Sequence, residues 1–380
     1  MRGVNRTDAR RGRSLHQLAG RHLWIAAVCS CLGLLASACG TSSEPAASSQ
    51  PSLGVTSTVP DIEWPDQPVA VPECGAYWGA YVNAPIRTGG QRAADRLRAL
   101  EIVEDDLGRT FDIDHHFYRW DNFLSDTTTK DHVSKSLGAG RIQFLSWKPV
   151  HEDGTNIAWS SIAAGDHDAL IEEKAQRVAA LNQPVLLVFG HEANGRVGPF
   201  EPGVSTASHI DSKAGSEQDF VDAWRHIHDV FARQQVDNVS WVWVMTRSPF
   251  EGEALQADLL FPGNEYVDWV GLDPYNFFHQ QKSWTEMEQL MAGFTSWVNS
   301  REVEQPWLLG EWGTVEDPAE PGRKAQWLSN AADYFESEPR IKAIVHFDSS
   351  PQNNWLYDSS ESAWESFIEV SNRPYFEQNC

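Results

Sequence analysis

Two short runs decide how this chain is read. Pro184-Val-Leu-Leu-Val-Phe-Gly190 passes into His191-Glu192-Ala193-Asn194-Gly195, and Pro306-Trp-Leu-Leu-Gly310 passes into Glu311-Trp312-Gly313. Each is an unbroken apolar stretch, too short for a helix and bounded by Pro and Gly. Such a stretch reads as a strand buried on both faces. Each delivers a glutamate where burial is expected to end. A carboxylate there costs free energy unless it is paired or hydrogen-bonded, so both glutamates are candidates for chemistry.

Outward from these runs lie six more short apolar or β-branched segments: Tyr77–Val82, Ile113–Tyr118, Ile142–Trp147, Val239–Met245, Tyr266–Leu272 and Ile341–Phe347. Candidate helices separate them. Asp166–Leu181 sets Leu170, Ala175, Val178 and Leu181 on one side, and Gln218–Arg233 carries Phe220, Trp224, Ile227 and Phe231 at helical spacing. Further helices are expected over Ala93–Leu107, Trp284–Val298, Gly322–Phe335 and Ser362–Val370. The segments after the second and fifth strands carry weak helical signals. Strands alternating with helices predict parallel pairing through right-handed crossovers. Eight such units close into a (β/α)8 TIM barrel, an α/β fold with its chemistry at the C-terminal ends of the strands. An open doubly wound sheet is the rival, but no Gly-rich phosphate loop follows the first strand. The barrel is expected to be a single catalytic domain over residues 71–380.

The N-terminal segment has a different character. Met1–Arg21 carries six Arg and one Asp, an apolar stretch follows over Leu23–Ala38, and small residues precede Cys39. This is the pattern of an export signal, residues 1–38. Ala36-Ser37-Ala38-Cys39-Gly40 resembles a bacterial lipobox, which implies lipid on Cys39. Residues 39–70 then form a Ser/Pro-rich tether. The chain is expected at the outer face of a bacterial membrane, held by its lipid, or secreted. Cys29 and Cys31 leave with the signal, so Cys74 and Cys380 remain as a candidate disulfide tying the two ends of the domain together.

The whole chain has a formal charge of −23, and removing a segment of +5 (six Arg minus one Asp) leaves −28. So acidic a surface repels nucleic acid and anionic lipid and suits an uncharged glycan. An acidic polymer would need a local basic cleft, and no sequence feature marks one.

Two glutamates in one barrel mouth are what glycoside cleavage requires: one protonated acid beside the leaving oxygen, and one carboxylate facing the anomeric carbon. The chain carries 17 Trp, and indole faces stack on sugar rings. Trp224 and Trp241 follow packing patterns. Trp147, Trp243, Trp312 and Trp355 lie at or beyond strand ends and are candidates to line the cleft. A zinc-protease reading of His191-Glu192 fails because Gly195 stands where the second His is needed. Asp112, Asp114, His115 and His116 form a denser cluster, read as polar strand-end residues. No metal or cofactor is expected. No Gly-x-Ser-x-Gly elbow occurs, which argues against an esterase of the α/β-hydrolase kind.

His191-Glu192-Ala193-Asn194-Gly195 resembles the acid/base motif of glycoside hydrolase family 26, and Gly310-Glu311-Trp312-Gly313 resembles that family's nucleophile motif. Phe220–Phe231, Val239–Trp243 and Tyr266–Asn276 are similar to its fourth helix, fifth strand and sixth strand, so the likeness covers most of Tyr77–Tyr375. The resemblance implies a retaining glycosidase of clan A: Glu192 as acid/base, Glu311 as nucleophile, Tyr275 hydrogen-bonded to the nucleophile, His191 and Asn194 at the substrate. It implies a β-mannanase first, with β-glucan or xylan as other substrates, acting as a monomer. The chain departs from the mannanase pattern at Arg196-Val-Gly-Pro-Phe200, where aromatics usually shape the sugar subsites. The rival readings are an envelope-glycan hydrolase or transglycosylase, and a non-catalytic glycan-binding lipoprotein.

Overall fold

Burial on both faces lets a parallel strand be apolar throughout, and the eight expected strands all form. The computed structural model describes residues 64–378, apart from 201, 203–212 and 352. The expected export signal, Cys39, the tether up to residue 63, and Cys380 lie outside the described residues. The strands are β1 (Tyr77–Val82), β2 (Ile113–Arg119), β3 (Ile142–Lys148), β4 (Val185–Phe189), β5 (Val239–Thr246), β6 (Trp269–Asp273), β7 (Trp307–Thr314) and β8 (Ile341–Asp348). Every neighbouring pair is parallel, β6 pairs with β7, and β8 returns to pair with β1. The sheet is therefore a closed (β/α)8 barrel, as the alternation of elements predicts.

Two strand boundaries differ from expectation by more than one residue. The sixth strand starts only at Trp269, because Asn264–Tyr266 forms a 3-10 turn. The seventh does not stop at Leu309 but runs through Glu311 to Thr314, buried throughout. A two-residue strand, Tyr275–Asn276, pairs with its last turn and helps to cover it. After β2, residues Asp126–Gly138 form one helical segment interrupted by a π-helical turn at Thr129–Val133. Between β5 and β6 the one α-helix among the described residues is the short Ala257–Leu260, flanked by 3-10 turns at Ser248–Phe250 and Asn264–Tyr266. These are the two places where the helical signal in the sequence is weak.

Alternation along each strand divides the molecule into two layers. In β5, Trp241 packs on Trp224 and Phe231, which belong to the helix Glu217–Arg233. Trp243 packs on Trp297 of the helix Met287–Ser300. Those positions face the helices, and Val242, Val244 and Thr246 face the barrel axis. The helix Glu217–Arg233 starts on a capping box in which Ser216 accepts from the Asp219 N–H and Asp219 reaches back to the Ser216 N–H. Such a cap contributes about 1 kcal/mol. Packing begins at Val69, whose N–H donates to Ser240 Oγ at 2.9 Å. Cys74 is disulfide-bonded, and its expected partner Cys380 lies outside the described residues.

Candidate active site

Glu192 leaves β4 through a strained turn. Gly190 (φ 61°) and Glu192 (φ 55°) both adopt left-handed backbone, followed by the 3-10 turn Ala193–Arg196. A glutamate held there costs about 1–3 kcal/mol and persists only where its surroundings over-determine it. The turn is fastened to β5: the Glu192 N–H donates to Val244 O at 3.3 Å. The Asn194 side chain donates to Thr246 Oγ1 at 2.8 Å and accepts from the Thr246 N–H at 3.3 Å. Asn194, expected at the substrate, therefore spends both ends of its amide on holding the Glu192 turn.

Glu311 arrives by another route. Leu309 pairs with Ile344 and Trp312 with His346, so β7 spends one more residue than β8 over this stretch. A bulge of this kind re-aims a side chain. It turns Trp312 outward, where it meets Trp327 and Phe335 of the helix Arg323–Ser337. Glu311 points into the mouth and stays only 9% exposed. The Tyr275 hydroxyl donates to Glu311 Oε2 at 2.6 Å, and His191 Nε2 lies 3.9 Å from Oε1.

Asp273, the last residue of β6, lies beside this group. Its Oδ2 lies 2.6 Å from His191 Nε2, and the Glu192 carboxyl is near enough to act on its charge. Burial first, and Glu192 second, hold the Asp273 carboxyl well above the ordinary range. Burial likewise lifts Glu311 to about 8, with Asp273 adding, while His191 and the Tyr275 hydroxyl favour its charged form. Burial and like charge together work against Asp273 and Glu311 ionising at once. A cradle for Asp273 requires Gly310, because a Cβ there would come within 2.8 Å of Asp273 Oδ1. The other ring nitrogen of His191, Nδ1, meets Ser146 Oγ at 3.0 Å, and Ser146 meets His115 Nε2 at 2.8 Å. Burial keeps both imidazoles below their usual range.

The expected cleft tryptophans are distributed otherwise. Trp147, Trp243 and Trp312 are wholly buried between barrel and helices and present no face to a sugar. Each shares its strand with inward-facing site residues but lies on the opposite parity. Trp147 stacks on Trp120 with ring centroids 4.4 Å apart, beside Ser146 and Lys148, which point inward. Trp355 does come to the mouth, 4.7 Å from the Tyr275 ring, but at 4% exposure it backs Tyr275 and offers little surface. The half-buried aromatics of the mouth are Tyr81, Phe117, Phe277 and Phe347. Tyr81 and Phe347 sit opposite each other in the β1–β8 register and stack at 5.0 Å. The signal that marks them, and Asp273, is strand parity at a C-terminal end rather than residue type.

Residues 153–361, more than half of the chain, match the sequence pattern of Glycosyl hydrolase family 26. The chain belongs to that family. It is similar to Endoglucanase H of Acetivibrio thermocellus, with 26% identity over 277 residues, covering 72% of this chain and 29% of that protein. The family 26 chain thus spans under a third of the length of that relative. Among solved structures it is similar to the catalytic domain of a GH26 endo-β-1,4-mannanase from Bacillus sp. JAMB-750, at 15% identity and TM-score 0.58, covering 80% of this chain and 88% of that one. It is also similar to a GH26 β-mannanase from Bacteroides ovatus, at 15% identity and TM-score 0.53, covering 79% and 89%. These two likenesses establish the barrel fold.

Proposed function

We propose that this family 26 glycosidase cleaves a β-linked polysaccharide by double displacement, with retention at the anomeric carbon. Glu311 attacks that carbon as the glycosidic bond breaks, and Glu192 gives its proton to the departing oxygen. Water then attacks the same carbon, the bond to Glu311 breaks, and the proton of the water passes to Glu192. The observation that carries this reading is the meeting of Glu192, Asp273 and Glu311 at the barrel mouth, with the Tyr275 hydroxyl on Glu311 at 2.6 Å. The Tyr275 hydroxyl and His191 favour negative charge on Glu311, as a nucleophile needs.

For the backbone sugar, β-glucan stands ahead of β-mannan. The relative that is similar in sequence is named an endoglucanase, and Arg196-Val-Gly-Pro-Phe200 departs from the mannanase pattern. Reducing ends released from mixed-linkage β-glucan, mannan, galactomannan and β-xylan test this, with Glu311→Ala alongside. Release from β-glucan by the wild type, lowered about 10³-fold or more in the variant, is expected, with the product appearing first as the β-anomer by NMR. Equal release by the variant, or an α-anomer first, would sink the mechanism.

The site of action is inferred from the N-terminal sequence alone: export, with lipid on Cys39 holding the barrel beside a polymer at the cell surface. Cys39→Ser is then expected to move the protein from the membrane fraction to the soluble one. Unchanged partition would remove the anchor from the account.

A further inference from the structure

The sequence is strongly acidic, with 53 Asp and Glu against 30 Lys and Arg. Carboxylate partners are therefore plentiful, and most arginines have them: Arg87, Arg109, Arg141, Arg177, Arg301, Arg323 and Arg373 all form ion pairs. At the rim of the barrel, by the ends of β2 and β3, two cations break this pattern. A cavity of about 200 Å³ there is lined by Arg96 and Lys148 together with Phe117, Asn122 and Arg119, whose guanidinium donates to His151 O and Glu152 O. The single acidic residue in its lining, Glu152, is exposed. The side chains of Arg96 and Lys148 make no ion pair and no hydrogen bond among the described residues. Arg96 lies over the Tyr118 ring at 5.9 Å, and Lys148 Nζ lies 4.2 Å from the Phe117 ring centroid. Just beyond, Arg196 is 5% exposed and, among the described residues, its guanidinium donates to the neutral Asn156 at 2.6 Å.

Cations half-withdrawn from water without counter-ions cost free energy, and a chain this acidic could have paired them. Lys148 is answered in part by the catalytic group, since Glu311, Glu192 and Asp273 all favour its charge. Arg96 acts on the charge of Tyr81, Tyr118 and His116. The cavity also adjoins the reaction centre. Phe117 is their common wall, with Lys148 on its ring and the His191 ring 5.4 Å away.

We propose that this cavity is a subsite for a carboxylate-bearing sugar, one ring removed from the scissile bond, with Arg96 and Lys148 receiving the carboxylate. The substrate class is then a β-linked polysaccharide carrying uronosyl units or comparable acidic substituents. The idea rests on the barrel mouth being a glycan-cleaving site. It also runs against the net charge of the molecule, which opposes any acidic polymer, so the sign of the effect is diagnostic.

The test is native gel retardation of the Glu311→Ala chain in gels holding matched polymers: carboxymethyl cellulose against hydroxyethyl cellulose, and glucuronoxylan against its carboxyl-reduced form. Retardation about tenfold stronger in at least one carboxylated member is expected, weakening in 0.3 M salt (roughly one Debye length of 6 Å or less). Adding Arg96→Ala should bring that pair within about twofold, and Arg96→Lys should keep most of the difference. Equal or stronger retardation by both neutral polymers, an equal loss on both members with Arg96→Ala, or no retardation at all would overturn the subsite. Sulfated cellulose binding as well as the carboxylated polymers would overturn the carboxylate assignment. Reducing-end release by the wild type is read separately. Cleavage of neutral polymer without acid preference removes the subsite alone, and acid-dependent retardation without cleavage of any polymer removes the glycosidase reading alone.

Discussion

Among the described residues, two buried His–Asp clusters have nearly the same composition and opposite character. On the inner face, Asp273 lies among His191, Glu192 and Glu311. On the outer face of β2, Asp114 lies between His116 and His132, with both Nε2 atoms 2.8 Å from its oxygens. Either cluster brings three groups of metal-ligating type within 4.8 Å of one another. The outer carboxylate is also contacted by Ser136 Oγ and, at 3.3 Å, by Gln143 Nε2. Burial alone would raise Asp114, but His116 and His132 pull it well below the usual range. Asp273 moves the other way, because burial is reinforced by a neighbouring carboxyl. The difference teaches that donors set the role. A carboxylate surrounded by donors is a settled charge that fastens a helix to a barrel. A carboxyl surrounded by other carboxyls keeps a proton in play.

The largest effects should fall on the inner cluster. Glu192→Ala is expected to lose about 10²–10⁴-fold in kcat/KM on polysaccharide. Most of that loss should disappear on an aryl glycoside whose leaving group needs no proton, and azide should restore turnover with a β-glycosyl azide as product. Steady-state rates on both substrates check this, and an equal loss on both would place Glu192 outside proton transfer.

Next comes Asp273→Asn, which removes a negative neighbour from Glu311. A drop of about 10–100-fold in kcat/KM is expected. The informative readout is the pH profile. The acidic limb reports ionisation of a nucleophile lifted by burial and Asp273, so it should move to lower pH in the variant. An unmoved limb would dissociate Asp273 from the ionisation of Glu311.

The outer cluster should answer in stability instead. His132→Ala leaves Asp114 short of a buried donor and opens a cavity under the π-helical turn. A loss of about 2–4 kcal/mol in chemical denaturation is expected, with kcat/KM per folded molecule kept within about twofold. A tenfold fall in kcat/KM at full folding would mean that the outer cluster reaches the chemistry.

The smallest expected effect sharpens the inner cluster further. Glu311 has a folded-state value of about 8, above the ordinary carboxyl range. Below that range both folded and unfolded chains hold the proton, so nothing is lost. As pH rises toward 8 only the unfolded chain releases it, and the wild type loses stability. Glu311→Gln should therefore raise Tm by a few °C at pH 7.5 and not at pH 4. A rise of equal size at both would assign it to packing.

Much of this was legible in the chain itself. Eight apolar runs separated by helical periodicity are enough for a parallel barrel, because only strands covered on both sides can be apolar throughout. The positions of Glu192 and Glu311 at the ends of two such runs, with Tyr275 after a third, were readable for the same reason. Residue type was a poorer guide to the cleft. Trp147, Trp243 and Trp312 were the conspicuous residues at strand ends, yet each faces the helices. Tyr81, Phe117, Lys148 and Asp273 carry no such conspicuous signal, although their parity in the strands carries them inward.

The sequence by itself determined the alternation of elements, and with it the closed sheet and the end at which acids gather. These follow from local periodicity and from the cost of exposing apolar runs. Only the tertiary structure decided which carboxyls come together, which buried aspartate is a settled charge, and where Arg96 and Lys148 meet at the rim. Those outcomes depend on a bulge of one residue in β7, a left-handed turn at Glu192 and the closing of β6 onto β7. They bring together groups far apart in the chain, and electrostatics at a few ångströms then sets what each one does.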